Sequence, residues 1–134
     1  MVSKVYLEKL YQNLGYLFYS IAAAYKVVRH EEIAILRKII REKWLKLEKT
    51  DDKFEKDTTS KIESVFDYLL LNEIVSNNAF TKFEYFELEN KKIINKKTKQ
   101  LIWDTANQIA LSFSGNNKSE LILLSKLQIL LKNN

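Results

Sequence analysis

Apolar side chains recur at intervals of three and four along most of the chain, which is the spacing of one face of an α-helix. The first run covers Ser3–Ala24. The second is carried by Ile33, Leu36, Ile40, Trp44 and Leu47. Glu31 and Glu32 stand in the first turn of the second run, where carboxylates favour the positive end of the helix dipole. The pattern therefore predicts two helices separated by a break at Tyr25–Arg29.

The middle of the chain predicts two more helices. The charged segment Glu48–Lys56 has no sustained period and predicts a loop with Phe54 turned inward. The third helix is predicted to start near Asp57–Ser60. It buries Ile62, Val65, Phe66, Leu69 and Leu70. We expect Asn77 and Asn78 to cap the fourth helix. That helix carries Phe80, Phe83 and Phe86 and runs into the lysine-rich stretch Lys91–Lys99, with a break at Asn95–Thr98.

The last third of the chain predicts a fifth and a sixth helix. The fifth, over Leu101–Phe113, ends at Ser114 and Gly115, because glycine readily adopts the left-handed conformation that stops a helix. Asn117 and Glu120 have the spacing of a capping box at the start of a final helix to Lys132. We therefore expect an all-α bundle of about six helices in one domain over residues 1–134. Its core should include Trp44, Phe66, Trp103 and the final helix.

Composition supports this architecture and excludes several classes of function. The 134 residues include two glycines and no proline, although strands and loops need both residue types repeatedly. The absence of cysteine excludes disulfides, thiolate catalysis and cysteine-ligated metal sites. The most apolar run, Leu121–Leu131, is interrupted by polar residues and is shorter than the roughly 20 residues of a membrane-spanning helix. With no secretory signal pattern at the start, we expect no membrane span and a cytoplasmic location.

A second pattern repeats along the chain. Ile21 and Ala22, followed by Glu32 and Leu36, recur as the same residues in the same order 88 residues later, and Lys38 recurs likewise as Lys126. The second copy comprises Ile109, Ala110, Glu120 and Leu124. The repeat predicts two related helical hairpins.

The stretch IAAAYKVVRHEEIAILRKII resembles the signature of the tellurite-resistance TerB-like domains, with Glu32 at the position of the family glutamate. The segment Phe54–Leu69 is similar to a second stretch found in a bacterial subgroup of that family. The resemblance implies an all-helical, stress-associated module, with metal binding in some members. Tyr25 stands where the family has an acidic residue, and Phe113 stands at the same place in the second copy. The main carboxylate of such a site is therefore missing.

Candidate metal ligands are few. Glu32 and Glu31 could hold a divalent cation together with Asp51 and Asp52, since hard cations take carboxylate oxygens. His30 is the one histidine, so a zinc site would have to consist of that histidine and carboxylates alone. The expected cofactor is none, with a divalent cation as the alternative.

No nucleophile, base and orienting group stand in a catalytic pattern, so an enzyme is not expected. Glu63 and Asp67 lie four residues apart on one predicted helix face, and we interpret them as a solvated or ion-paired stripe.

The net charge of +5 comes mostly from lysine. Five lysines lie close together near the predicted break, Lys91, Lys92, Lys96, Lys97 and Lys99. With Tyr85 and Phe86 upstream, they form an alternative site for weak nucleic-acid binding, in which lysines contact phosphates and aromatic rings stack on bases.

The sequence favours a non-enzymatic bacterial stress-response or scaffold module that acts through contacts with an unidentified protein. A divalent-cation-responsive module and a weak nucleic-acid binder are the alternatives. The final helix is apolar on more than one side, which indicates either burial within the monomer, the interpretation we favour, or a homodimer contact through this helix.

Overall fold

The computed structural model describes residues 4–24, 28–50, 57–91, 94–113 and 117–132. These residues form six helices, α1 (Lys4–Ala22), α2 (His30–Thr50), α3 (Asp57–Leu71), α4 (Ser76–Glu89), α5 (Lys96–Phe113) and α6 (Lys118–Lys132). No strand occurs within the described ranges. The predicted all-α bundle of about six helices is confirmed.

The first helix lies at the centre of the bundle. It packs against α3, α4, α5 and α6. Between Leu10 and Ala22 all residues are buried except Gln12, Asn13 and Tyr16, which share one narrow stripe of the helix. A helix that is apolar nearly all round is stable only when neighbours cover every face. The bundle is therefore organised around α1.

The last helix lies at the edge of the bundle. Its inner face buries four leucines, Leu123, Leu124, Leu127 and Leu130. Its outer face leaves Leu121, Ile122 and Ile129 about half exposed. The preference for burying the whole helix within the monomer was therefore wrong for the outer face, because the other helices reach only one side of α6.

A glycine sets the distance between α1 and α3. A Cβ atom added to Gly15 would lie 2.7 Å from Cβ of Val65 and 3.0 Å from the backbone oxygen of Ile62. The first distance is too short for two carbon atoms, and both neighbouring atoms are held by the backbone of α3. The two helices can approach this closely only because residue 15 has no side chain.

A buried tryptophan joins α2 to the centre. Trp44 is fully buried, and its ring packs against those of Tyr11 and Phe18 at centroid distances of 6.4 and 6.2 Å. Its indole N–H donates to Oγ1 of Thr105 at 3.1 Å. That hydroxyl in turn donates to the backbone oxygen of Leu101 at 2.7 Å. The polar edge of the tryptophan is therefore satisfied within the core, as buried donors require.

The turn between α3 and α4, residues 72–75, terminates α3 and is hydrogen-bonded to α1. The N–H of Ile74 donates to the oxygen of Leu69 at 3.1 Å, and Glu73 takes a positive φ of 49°. This is the geometry of a Schellman motif, with glutamate in place of the usual glycine. The hydroxyl of Tyr19 then donates to the oxygen of Ile74 at 2.6 Å. In addition, Ser76 Oγ donates to the oxygen of Ser20 at 2.7 Å. Two hydrogen bonds thus hold the turn against the end of α1.

One helix start differs from the sequence prediction, one agrees with it in part and one agrees with it fully. Helix α4 follows Val75, which makes no side-chain cap hydrogen bond, so Asn77 and Asn78 lie inside the helix and do not cap it. A break before α5 is confirmed, but it ends at Asn95, whose Oδ1 accepts from the N–H of Thr98 at 2.8 Å. The part of the predicted break over Lys96–Thr98 was wrong, because these residues form the first turn of α5.

The cap of the last helix is confirmed, because Asn117 Oδ1 accepts from the N–H of Glu120 at 3.0 Å. The start of the predicted loop at Glu48 was wrong, since α2 continues through Thr50. Phe54, Ser114 and Gly115 lie outside the described residues.

The first two positions of the predicted pseudo-repeat are buried in both copies, whereas Glu120 is buried and its counterpart Glu32 is only half-buried. Ile21 and Ala22 are buried, and so are their counterparts Ile109 and Ala110. The two pairs of helices differ in packing, however: α5 and α6 approach each other directly, whereas α1 and α2 meet through the rings around Trp44. The two related hairpins therefore stay an interpretation.

We expect the substitution Gly15→Ala to destabilise the fold. The added methyl group overpacks the contact with α3, which costs about 1–3 kcal/mol, and the better helix propensity of alanine returns only about 0.5–1 kcal/mol. Urea unfolding followed by circular dichroism should show a net loss of unfolding free energy.

Gln12→Ala, on the exposed stripe of the same helix, is the matched control and should change stability by less than about 0.5 kcal/mol. A Gly15→Ala variant as stable as the parent would show that α1 and α3 do not need this close contact.

Candidate functional site

Four of the five lysines of the predicted cluster are described by the structure, and they do not all line one groove. Lys96 and Lys99 line a groove between α5 and α6. Lys97 is exposed but does not line the groove, and Lys91 lies just after the end of α4. Lys92 lies outside the described residues. Because successive residues of a helix point about 100° apart, neighbouring lysines of α5 face different surroundings.

The α5–α6 groove has a volume of about 380 Å³. It is lined by Lys96, Lys99, Gln100, Trp103, Gln128, Leu131 and Lys132. Trp103 is half-buried, so part of its ring remains accessible from the groove. Within the described part of the chain, none of the three lysines forms an ion pair. Lys99 does interact with the charge of the buried Glu87, whereas Lys96 and Lys132 have no such carboxylate among the described ion pairs. The groove therefore offers an aromatic surface beside positive charge, an arrangement suited to an anionic ligand with an apolar part.

Tyr85 and Phe86, the two aromatic residues expected to stack on bases beside the lysine cluster, differ in solvent exposure. Tyr85 is 65% exposed, as a stacking platform would have to be. Phe86 is buried, and its ring stacks on that of Tyr6 at a centroid distance of 5.9 Å. The expectation that Phe86 stacks on bases was therefore wrong, because this ring is part of the core.

A buried carboxyl group lies behind the lysines. Glu87 in α4 has no solvent exposure, and neither of its carboxyl oxygens has a hydrogen-bond partner among the described residues. Burial raises the pKa of Glu87 to about 7, and the positive charges of Lys99 and Lys91 partly oppose this shift. Burial, together with the charge of Glu87, raises the pKa of Tyr6 to about 12. Near neutral pH, Glu87 is thus only partly ionised.

The sequence prediction missed Glu87, although the apolar spacing of α4 indicates this residue. The residue lies seven positions after Phe80 and four after Phe83, which places it on the apolar face of α4. A glutamate at such a position is either buried or near the margin of that face, so its place on an apolar stripe indicates an unusual environment for the carboxyl group.

One carboxylate of the predicted acidic site, that of Glu32, makes a hydrogen bond at the start of α2. Glu32 Oε1 accepts from the backbone N–H of Arg29 at 2.7 Å, so this carboxylate caps α2. Glu31 is exposed. Tyr25, the side chain of His30, Asp51 and Asp52 lie outside the described residues. Within the described ranges, no three His, Cys, Asp or Glu side chains are grouped so that they could hold a metal ion. A cation site at Glu31 and Glu32 stays a prediction.

Phe113, which stands at the position of the family's acidic residue in the second copy of the repeat, is buried in the core.

Glu63 and Asp67 are ion-paired, as the stripe interpretation predicts. Arg37 Nη2 lies 2.8 Å from Oδ2 of Asp67, and Arg37 Nε lies 3.4 Å from Oε1 of Glu63. Arg41 Nε lies 3.1 Å from Oε2 of the same glutamate. These pairs bridge α2 and α3, and they occupy two of the three arginines of the chain.

Comparison of the sequence with protein-family models gives no match, and comparisons with curated proteins and with solved structures give none either. Among the described residues, no helix combines the length and the apolar character needed to cross a membrane.

We expect the substitution Glu87→Gln to remove a pH-dependent loss of stability. The pKa of Glu87 is raised in the folded state, so the folded protein binds this proton more tightly than the unfolded chain does. Below pH 4.5 the carboxyl group of Glu87 is protonated in both states and does not reduce the free energy of unfolding. As the pH rises from 4.5 towards 7, the unfolded chain loses this proton first, and the free energy of unfolding falls. A shift of this size corresponds to about 3 kcal/mol.

Urea unfolding of parent and variant at pH 5 and pH 8 measures this loss. The advantage of Glu87→Gln over the parent should grow by about 2 kcal/mol between the two pH values. The control is Glu89→Gln, on the exposed side of the same helix, whose difference from the parent should stay constant. Parallel pH profiles for the parent and Glu87→Gln would contradict a buried, titrating Glu87.

Proposed function

We propose that the chain is a non-enzymatic, cytoplasmic stress-response or scaffold module of the bacterial TerB-like kind, and that it acts through contact with another protein. The observation that carries this proposal is the apolar outer face of α6. The sequence resemblance supports the stress-related role, and the surface supports the protein contact.

A stripe of five exposed residues at helical spacing runs along the outer face of α6, beside the exposed Leu121: Lys118, Ile122, Ser125, Ile129 and Lys132. We call it the α6 face. Ile122 is 49% exposed and Ile129 is 60% exposed, although the opposite side of the same helix is firmly packed. Burying the remaining surface of two isoleucines against a partner would contribute on the order of 2 kcal/mol to binding.

Charge favours a different protein over a second copy of this chain. All exposed ionisable side chains of α6 are lysines, because its glutamate, Glu120, is buried. Two copies meeting through the α6 face would bring like charges into a shared interface, which disfavours association. A helix or loop with acidic residues around an apolar stripe would complement both the isoleucines and the lysines. Homodimerisation through α6 therefore ranks second.

A photo-crosslinking side chain placed at Ser125, in the middle of the α6 face, tests the proposal in the native cells. We expect a discrete adduct with another protein. The double variant Ile122→Glu and Ile129→Glu should lower its yield about tenfold or more, because it removes apolar contact and adds charge at the interface.

The matched control carries the same crosslinking side chain at Thr81, on an exposed position of α4, and should not give this adduct. Circular dichroism should show that the double variant keeps its helix content, since both isoleucines are exposed. An adduct with twice the mass of the chain would indicate a homodimer. Such an adduct, or equal adducts from Ser125 and Thr81, would contradict the proposal.

A further inference from the structure

The α5–α6 groove and the α6 face meet at Lys132. This residue is the last member of the α6 face and also lines the groove. A segment of a partner that packs on the isoleucines of α6 can therefore continue into the groove without crossing another helix. The two features form one continuous surface on the C-terminal side of the bundle.

The lining of the groove defines the chemistry of its occupant. Trp103 and Leu131 supply an apolar floor next to which an aromatic or aliphatic side chain can pack. Lys96, Lys99 and Lys132 surround that floor with positive charge, and no ion pair among the described residues neutralises them. An occupant must bring apolar surface and negative charge together.

We propose that the α5–α6 groove binds a short acidic segment of the partner protein, which places an apolar side chain against Trp103 and carboxylates beside the three lysines. This inference rests on the proposed function and adds the chemical nature of the partner segment. Gln100 and Gln128 line the same groove. The amide nitrogen of Gln100 donates to Oδ1 of Asp104 at 2.8 Å, so the amide of Gln128 and the carbonyl oxygen of Gln100 are the groups that can pair with the backbone of an extended segment.

A single-stranded nucleic acid matches this surface less well. Such ligands are bound along a positively charged track with several aromatic platforms, each stacking one base. Here Lys91 and Lys97 lie outside the groove, and Phe86 is buried. Arg37 and Arg41 are engaged by carboxylates of α3. The groove and the α6 face together offer one accessible tryptophan and two isoleucines, which suits a peptide.

The intrinsic fluorescence of Trp103 reports binding directly. The other tryptophan, Trp44, is fully buried and should respond little to a surface ligand. The probes are a hexapeptide of four acidic residues with one phenylalanine and one leucine, a hexapeptide of acidic residues and serine only, and an oligothymidine. We expect the acidic, apolar peptide to shift the emission of Trp103 and to bind about tenfold or more tightly than the other two.

Charge reversal at the groove tests the role of the lysines, with a fluorescently labelled copy of the same peptide as the probe. The double variant Lys96→Glu and Lys132→Glu should weaken binding about tenfold or more, because it removes two attractive charges and adds two repulsive ones. Lys99 is left unchanged because its charge also acts on Glu87.

The matched control is the double variant Lys97→Glu and Lys126→Glu. It has the same net charge and lies on the same two helices but outside the groove, and it should change affinity by less than about twofold. Tighter binding of oligothymidine than of the peptide, or equal losses in the two double variants, would overturn the proposal.

The two proposals fail separately. A crosslink from Ser125 without any peptide response at Trp103 would remove the groove from the interface and leave the α6 face as the contact. A peptide response without that crosslink would leave an acidic ligand site and contradict the proposed contact through α6.

Discussion

The fold depends on the nearly complete enclosure of α1. A central helix must lose almost all of its solvent-exposed surface, and it must do so without leaving polar groups unsatisfied. Gly15 meets the first requirement by allowing α3 to approach to the limit of backbone contact. At the end of α1, the hydroxyl of Tyr19 and the backbone oxygen of Ser20 meet the second, because both are bonded to the turn between α3 and α4.

The spacing of apolar residues was sufficient to locate all six helices, because each segment spans several turns and glycine and proline are scarce. Helix ends were less predictable where no side chain marks them. Helix α4 starts after Val75, and α3 ends with Glu73 in a conformation that usually indicates glycine. The sequence also did not indicate which helix lies at the centre of the bundle. Helices α1 and α6 are both apolar on more than one side, and only the tertiary packing leaves α6 at the edge.

The candidate site could be predicted only in part, because residues close in sequence separate around a helix. Lys96 and Lys97 are consecutive, yet only the first lines the groove. Lys132, at the C-terminal end of α6, lines the same groove as Lys96. The two residues are 36 positions apart, so no local sequence pattern relates them. Glu87 illustrates the opposite case, in which the apolar spacing around an ionisable residue does carry the information, and burial then determines its protonation.

The central position of α1 also affects how the chain matures on the ribosome. All the helices that cover α1 are translated after it. Because synthesis proceeds at about 5–20 residues per second, the apolar surface of α1 lacks its final neighbours for several seconds. Exposed apolar surface of this kind is prone to aggregation, and it stays exposed until α3 and the later helices emerge. The helix that the folded protein buries most completely is therefore one whose apolar surface stays uncovered while the other helices are made.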